Sequence, residues 1–123
     1  MILVDSSIWI DHIRAPDELL TALLTRHEVL GHPFVIGEVA VGSIRNRDAV
    51  LASLQELPGA PIATDGDVLN LIEQHRLHGR GIGYVDAHLL AASRLTRGTS
   101  LWTRDRRLRD IATELGLAAR LTH

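Results

Sequence analysis

Apolar residues in this chain alternate between short unbroken runs and stretches of helical spacing. Ile2-Leu3-Val4 is a β-branched-rich run that stops at Asp5 and reads as a buried strand. Ser6 or Ser7 then offers an N-cap for a helix through Ile13. Pro16-Asp17-Glu18 opens a second helix, with Leu19, Leu20, Leu23 and Leu24 on one face. "VLGHP" breaks it, and Pro33 starts a third helix through "FVIGEVAVGSI". Arg47 to Leu57 continues helically until Pro58-Gly59, and "APIAT" (60–64) reads as a short strand. A helix from Asp65 to His78 leads into the glycine joint Gly79, Gly81 and Gly83. Tyr84 to Arg97 is amphipathic, with Val85, Leu89, Ala92 and Leu95 in register, and Gly98 stops it. "SLWT" (100–103) is a strand, Asp105 to Leu115 a helix, and "AARL" (118–121) a terminal strand. Short strands alternating with helices predict an α/β chain, a three-layer α/β/α sandwich around a short, mostly parallel central sheet.

Composition narrows the chemistry. The 123 residues suffice for one domain, here expected over 1–123, and 46% hydrophobic content supports a real core. With no cysteine, disulfides, thiolate metal sites and cysteine nucleophiles are excluded. No apolar run is long enough to span a membrane, and "MILVDSSIWI" meets an acid at its fifth residue, so a cytoplasmic location is expected. All 13 basic residues are arginine, and the net charge of −2 is not the basic excess that marks an obvious nucleic-acid binder.

Four acids stand out against this background. In an open parallel sheet, ligands bind beyond the carboxyl ends of the strands. Asp5 follows "ILV" and Asp105 follows "SLWT", so both occupy that position, although a helix cap explains either one alone. Glu38 is the only charged residue between Phe34 and Ile44, in a helix expected to be largely buried. A buried carboxylate there must be paired, protonated or metal-bound. Asp86 lies in the first turn after the glycine joint, in register with Leu89 and Leu90, and should point inward. His88 faces elsewhere and reads as a surface or satisfied histidine. Four ionised acids around one cleft would repel one another, and a divalent cation resolves that. All-oxygen ligands suit Mg²⁺ or Mn²⁺, which favour phosphate-ester chemistry.

"MILVDSSIWID", "VIGEVAVG", "GIGYVDAHLLAAS" and "LWTRDRRL" together resemble a PIN domain, specifically a VapC-type ribonuclease toxin of a type II toxin–antitoxin pair. The resemblance runs from Met1 to about Ala119 with the motifs in the family's order. It implies a Mg²⁺- or Mn²⁺-dependent endoribonuclease that hydrolyses RNA phosphodiesters with metal-activated water, leaving a 5′-phosphate and a 3′-hydroxyl. Asp5, Glu38, Asp86 and Asp105 match the family's acidic quartet, and none of the four positions is substituted. Ser6 and Thr103 match hydroxyl residues that orient the metal or its water, and Arg104 and Arg106 are placed to receive RNA phosphates. The resemblance also implies a VapB-type antitoxin whose C-terminal segment covers the cleft, a homodimer, and a tRNA or ribosomal RNA substrate. The helix from Pro33 and the Leu19–Leu24 face could serve as core or as interface.

The rivals are an aspartate-nucleophile phosphatase or receiver domain and a non-catalytic α/β interaction module. The first relies on a lysine, which the chain lacks, and on a second acid where Ser7 stands. The second explains the acids as caps and ion pairs. His75-x-x-His78 has zinc-like spacing without a third ligand, and Arg107 and Arg109 suit a solvated helix face. "GRGIG" lacks the full dinucleotide-binding pattern, and Trp9 and Trp102 read as core or interface.

Overall fold

The computed structural model describes residues 1–121. β1 (Ile2–Val4) is followed by α1 (Ser6–Arg14) and α2 (Glu18–Thr25), then β2 (Val29–Leu30). α3 (Pro33–Ala40), α4 (Arg47–Glu56), α5 (Asp65–His75) and α6 (Tyr84–Leu95) lead to β3 (Ser100–Trp102), and α7 (Arg106–Glu114) closes the order. The sheet runs β2-β1-β3, with both pairings parallel. The first crossover therefore steps from β1 to one side, and the second returns past β1 to the other. Right-handed crossovers then send their helices to opposite faces of the sheet, the three-layer arrangement. A crevice opens beyond the carboxyl ends of β1 and β3, where the two crossovers part. Asp5 and Asp105 follow those two strand ends directly or within three residues.

Helix starts are fixed by side chains that the sequence offers. Asp17 accepts from the Leu20 amide at 3.0 Å, and Thr64 and Asp67 cap each other's backbone reciprocally at the start of α5. α5 ends at His75 rather than His78, because Arg76 turns left-handed (φ 51°). His78 thus lies off the helix, while His75 Nε2 stands 2.8 Å from Arg94 Nη1. α3 stops at Ala40, short of the expected Ile44, and Asn46 (φ 52°) precedes α4.

Two expected strands do not form. "APIAT" is irregular; the pairing sits just before it, where Gly31 and Gly59 make one parallel bridge. "AARL" contributes only the bridge of Ala118 to Leu101. Conversely, Val29-Leu30, inside a stretch expected to be a simple break, is a sheet strand. Such strands are too short to show a period of two; they exist because β1 presents hydrogen-bonding groups on its open edge.

One contiguous core fills the space around the sheet. Leu3, Val4, Leu89, Leu90, Leu101, Leu108 and Ile111 belong to it and are at most 2% exposed. α6 and α7 both pack on β3. Leu20 and Leu23 are core residues, and Trp9 is buried while Trp102 is half-buried. No helix among the described residues is long and apolar enough to cross a membrane.

Burial ranks the leucines. Leu89→Ala, at a side chain with 0% exposure, should cost about 2–5 kcal/mol in urea unfolding, whereas Leu69→Ala, at 56% exposure, should change stability by about 0.5 kcal/mol or less.

Candidate active site

The crevice is organised around Asp5. Its residue is 5% exposed, and its amide donates to the Trp102 carbonyl at 2.9 Å, tying the end of β1 to the end of β3. Asp5 Oδ2 accepts from Thr103 Oγ1 at 2.7 Å and from Ser7 Oγ at 3.2 Å, and Oδ1 accepts from the Ser6 amide at 2.8 Å. Thr103 Oγ1 in turn accepts from the Asp105 amide at 3.1 Å, and Ser7 Oγ accepts from the Arg104 amide at 3.2 Å. Two hydroxyls thus link one carboxylate to the backbone of the β3–α7 turn. Ser6 and Ser7, expected as N-cap candidates, both lie inside α1, which Asp5 caps. The role of Ser7 beside Asp5 went unread, though its place two residues after an acid at a strand end was the available signal.

The other three acids face the same crevice from three helices. Ser6 Oγ donates to Glu38 Oε1 at 3.1 Å, bringing α3 to the start of α1. Asp86 Oδ2 accepts from the Gly83 amide at 3.0 Å in the first turn of α6. Asp105 Oδ1 accepts from the amides of Arg107 and Leu108, at 2.9 and 3.2 Å, as the cap of α7. Capping and crevice-facing roles therefore coincide. No hydrogen bond among the described residues engages Glu38 Oε2, Asp86 Oδ1 or Asp105 Oδ2. None of the four acids has a guanidinium or histidine partner among the described residues.

The acids feel one another. Desolvation, with Asp5 and Asp86 nearby, raises the Glu38 carboxyl above the usual range despite its Ser6 hydrogen bond. Desolvation, with Asp5 and Asp105 nearby, raises Asp86 despite the Gly83 amide. Asp5 thus influences both Glu38 and Asp86, and Asp86 also feels Asp105. Among the described residues no three His, Asp or Glu side chains stand close enough to hold a metal ion as they are. The donor set nevertheless suits a hard cation: four carboxyls, three with an uncommitted oxygen and two pushed toward protonation by desolvation and then by neighbouring carboxylates.

Several expectations need correction. The Glu38 residue is exposed rather than buried, because α3 turns that side to the crevice; only its carboxyl end is desolvated against α1. His88 is 3% exposed, not on the surface. Its Nε2 lies 3.2 Å from Asp65 Oδ1, and its ring meets Phe34 and Tyr84 edge-on at 4.8 and 4.7 Å. Arg104 is committed elsewhere, 2.6 Å from Asp11 and 3.7 Å from Asp17, so it braces the β3–α7 turn against α1 and α2. Arg106 is exposed. Arg107 and Arg109 are exposed, as a solvated helix face predicts, and Arg107 also lies against the loop before α6: a Cβ at Gly81 (φ 84°) would fall 2.6 Å from its Nη1. Beside it Arg80 grips Glu114 through two bonds of 2.6 and 2.7 Å.

The raised Asp86 carboxyl carries a stability signature. The folded chain holds that proton to higher pH than the unfolded chain, so the folded state is favoured at low pH and loses this advantage as pH rises through the folded value. In chelator-treated protein at pH 7, Asp86→Asn should raise Tm by a few degrees, a gain that shrinks as pH falls toward about 4, the ordinary value for a free carboxyl. Thermal scans across pH read it directly.

Comparison with known proteins agrees with this geometry. The model of the PIN domain matches residues 2–114. The chain is 50% identical over 118 residues to Ribonuclease VapC32 of Mycobacterium tuberculosis, both in strain CDC 1551 / Oshkosh and in strain ATCC 25618 / H37Rv. That alignment covers 96% of this chain and 95% of the relative. With the acids at the carboxyl ends of a 2-1-3 parallel sheet and a match along nearly its whole length, this chain belongs to the PIN-domain family, in its VapC group.

Proposed function

We propose that this chain is a Mg²⁺- or Mn²⁺-dependent endoribonuclease and the toxin of a toxin–antitoxin pair. The observation that carries the reading is the set of four carboxyls sharing one crevice with no guanidinium or histidine partner among the described residues, two of them with raised affinity for a proton. The relatives' name, Ribonuclease VapC32, supports RNA as the substrate.

Asp5, Glu38, Asp86 and Asp105 would hold the ion. A bound Mg²⁺ supplies Lewis-acid polarisation of the phosphodiester and neutralises charge developing on its oxygens. The chain's own residues do the positioning. Thr103 and Ser7 fix the rotamer of Asp5 by donating to Oδ2. Ser6 holds one Glu38 oxygen and leaves the other to the crevice. The caps on Asp86 and Asp105 likewise fix one oxygen of each. Glu38, exposed and held through Oε1 alone, would offer Oε2 to the ion. Arg106, exposed in the first turn of α7 next to the Asp105 cap, is the guanidinium assigned to the phosphates flanking the scissile bond.

The same reading assigns the partners: an RNA such as tRNA or ribosomal RNA, a VapB-type antitoxin whose C-terminal segment covers the crevice, and a second copy of the chain. Exposed Phe34 and Val41, at 36% and 88%, give the α3 side an apolar surface for that copy.

Incubation with total tRNA and ribosomal RNA in Mg²⁺, with chelator as control, should give discrete new ends carrying a 5′-phosphate. Asp5→Asn should abolish cleavage and reduce Mn²⁺ binding in calorimetry with the circular dichroism spectrum unchanged. Products ending in 2′,3′-cyclic phosphate, or cleavage that persists in chelator, would refute the scheme. Thr103→Val keeps shape and removes the hydroxyl; it should lower metal affinity or rate by about 10–100-fold and cost about 1–3 kcal/mol of stability.

A further inference from the structure

The opposite end of the sheet carries the opposite charge. Where the chain enters β3, the segments around Gly98 and Gly116 border a cleft of about 400 Å³ lined by Arg94, Arg97 and Arg120, with Ser93, Thr99 and Ser100 between them. No acidic residue lines it, although the chain has 15 acids and a net charge of −2. The N-terminal ammonium group stands at its edge, donating to the Gly98 carbonyl at 3.2 Å. Thr99 is 6% exposed, and its hydroxyl has no hydrogen-bond partner among the described residues.

Helix electrostatics accounts for part of this. Arg94 and Arg97 lie at the carboxyl end of α6, where the helix dipole favours cations, and Arg94 also meets His75. Arg120 lies on no helix, and among the described residues neither it nor Arg97 has an acid partner. Unpaired like charges around one concavity repel, and a polyanion is the ligand class that relieves this. Guanidinium forks match phosphate oxygens, and the buried Thr99 hydroxyl in the lining is an uncommitted donor.

We propose that this cleft is an exosite for the phosphate backbone of the RNA, holding it away from the scissile bond; this rests on the RNA reading above. From Thr99 to Thr103 the chain runs four residues, about 13 Å at ~3.3 Å per residue. That separation exceeds the reach of a dinucleotide and suits a folded RNA that touches both ends of the sheet. Contacts of this kind add affinity and salt dependence without reading sequence. The exosite therefore selects for extended or folded RNA over short fragments, whatever sequence is cut.

The test uses the Asp5→Asn chain, with and without Arg97→Ala and Arg120→Ala together; both arginines are exposed, and neither belongs to the acidic crevice. By fluorescence anisotropy, the double change should weaken binding of labelled folded tRNA about tenfold and lower the slope of log K against log salt by about 1–2, leaving a short single strand bound as before. In the otherwise native chain the same change should raise KM for folded RNA without altering kcat. Unchanged affinity and salt slope for folded RNA would overturn the exosite even if cleavage proceeds. Labelled polyglutamate binding that the double change abolishes, with RNA binding intact, would also overturn it and assign the cleft to an acidic polypeptide. If no RNA is cleaved but folded RNA still binds through these arginines, the hydrolysis reading fails and the exosite stands.

Discussion

The buried carboxylate of Asp5 is the constraint from which the crevice follows. A charge at 5% exposure is tolerable only when its oxygens are saturated by donors, and here they come from three places: the Ser6 amide, the Ser7 hydroxyl and the Thr103 hydroxyl. Satisfying Asp5 therefore draws together the end of β1, the first turn of α1 and the turn after β3. The sheet register and the polar network specify the same juxtaposition, because β1 and β3 are already paired through Val4 and Trp102.

Around that hub, backbone caps and crevice-facing acids are the same groups. Asp105 starts α7 and Asp86 starts α6, each through one oxygen. A cap is a precise way to hold a carboxylate: two amides of α7 fix the Asp105 rotamer and the Gly83 amide fixes that of Asp86 better than solvent would. Desolvation, with the repulsion of neighbouring carboxylates added to it, raises Glu38 and Asp86 and is an energetic tension stored in the folded chain. Charge is sorted along the sheet axis, with acids beyond the carboxyl ends of the strands and arginines at the entrance to β3. A nearly neutral net charge conceals this polarity.

The acids at strand ends were legible because a short apolar run stopping at Asp5, and another at Thr103, announces both the strand and the position that parallel sheets reserve for ligands. The amphipathic register of Tyr84 to Leu95 likewise exposed Asp86. What eluded the sequence depended on partners distant in the chain. Val29-Leu30 is a strand only beside β1, and "APIAT" fails to be one because the pairing falls on Gly59 instead. Glu38 looked buried because its neighbours are apolar, yet a one-sided helix beside an open crevice exposes it. His88 read as a surface or satisfied histidine because periodicity ignores distant partners; Asp65 of α5 meets its Nε2, and Phe34 and Tyr84 pack edge-on against the ring. Arg104 looked available to phosphate because Asp11 and Asp17 lie about ninety residues away in the chain.

The three glycines before α6 invite description as a hinge, yet Gly81 serves closeness rather than freedom. Its missing side chain leaves the space that the Arg107 stem and guanidinium occupy, while Arg80 clasps Glu114. The loop is thereby stapled to α7 at two adjacent points. Two helices that each begin with a crevice acid share one mechanical frame, so an insertion or bulky label in this loop would misalign both at once. The polar turn at Ser43–Asn46, outside that frame, is the better place to attach a probe.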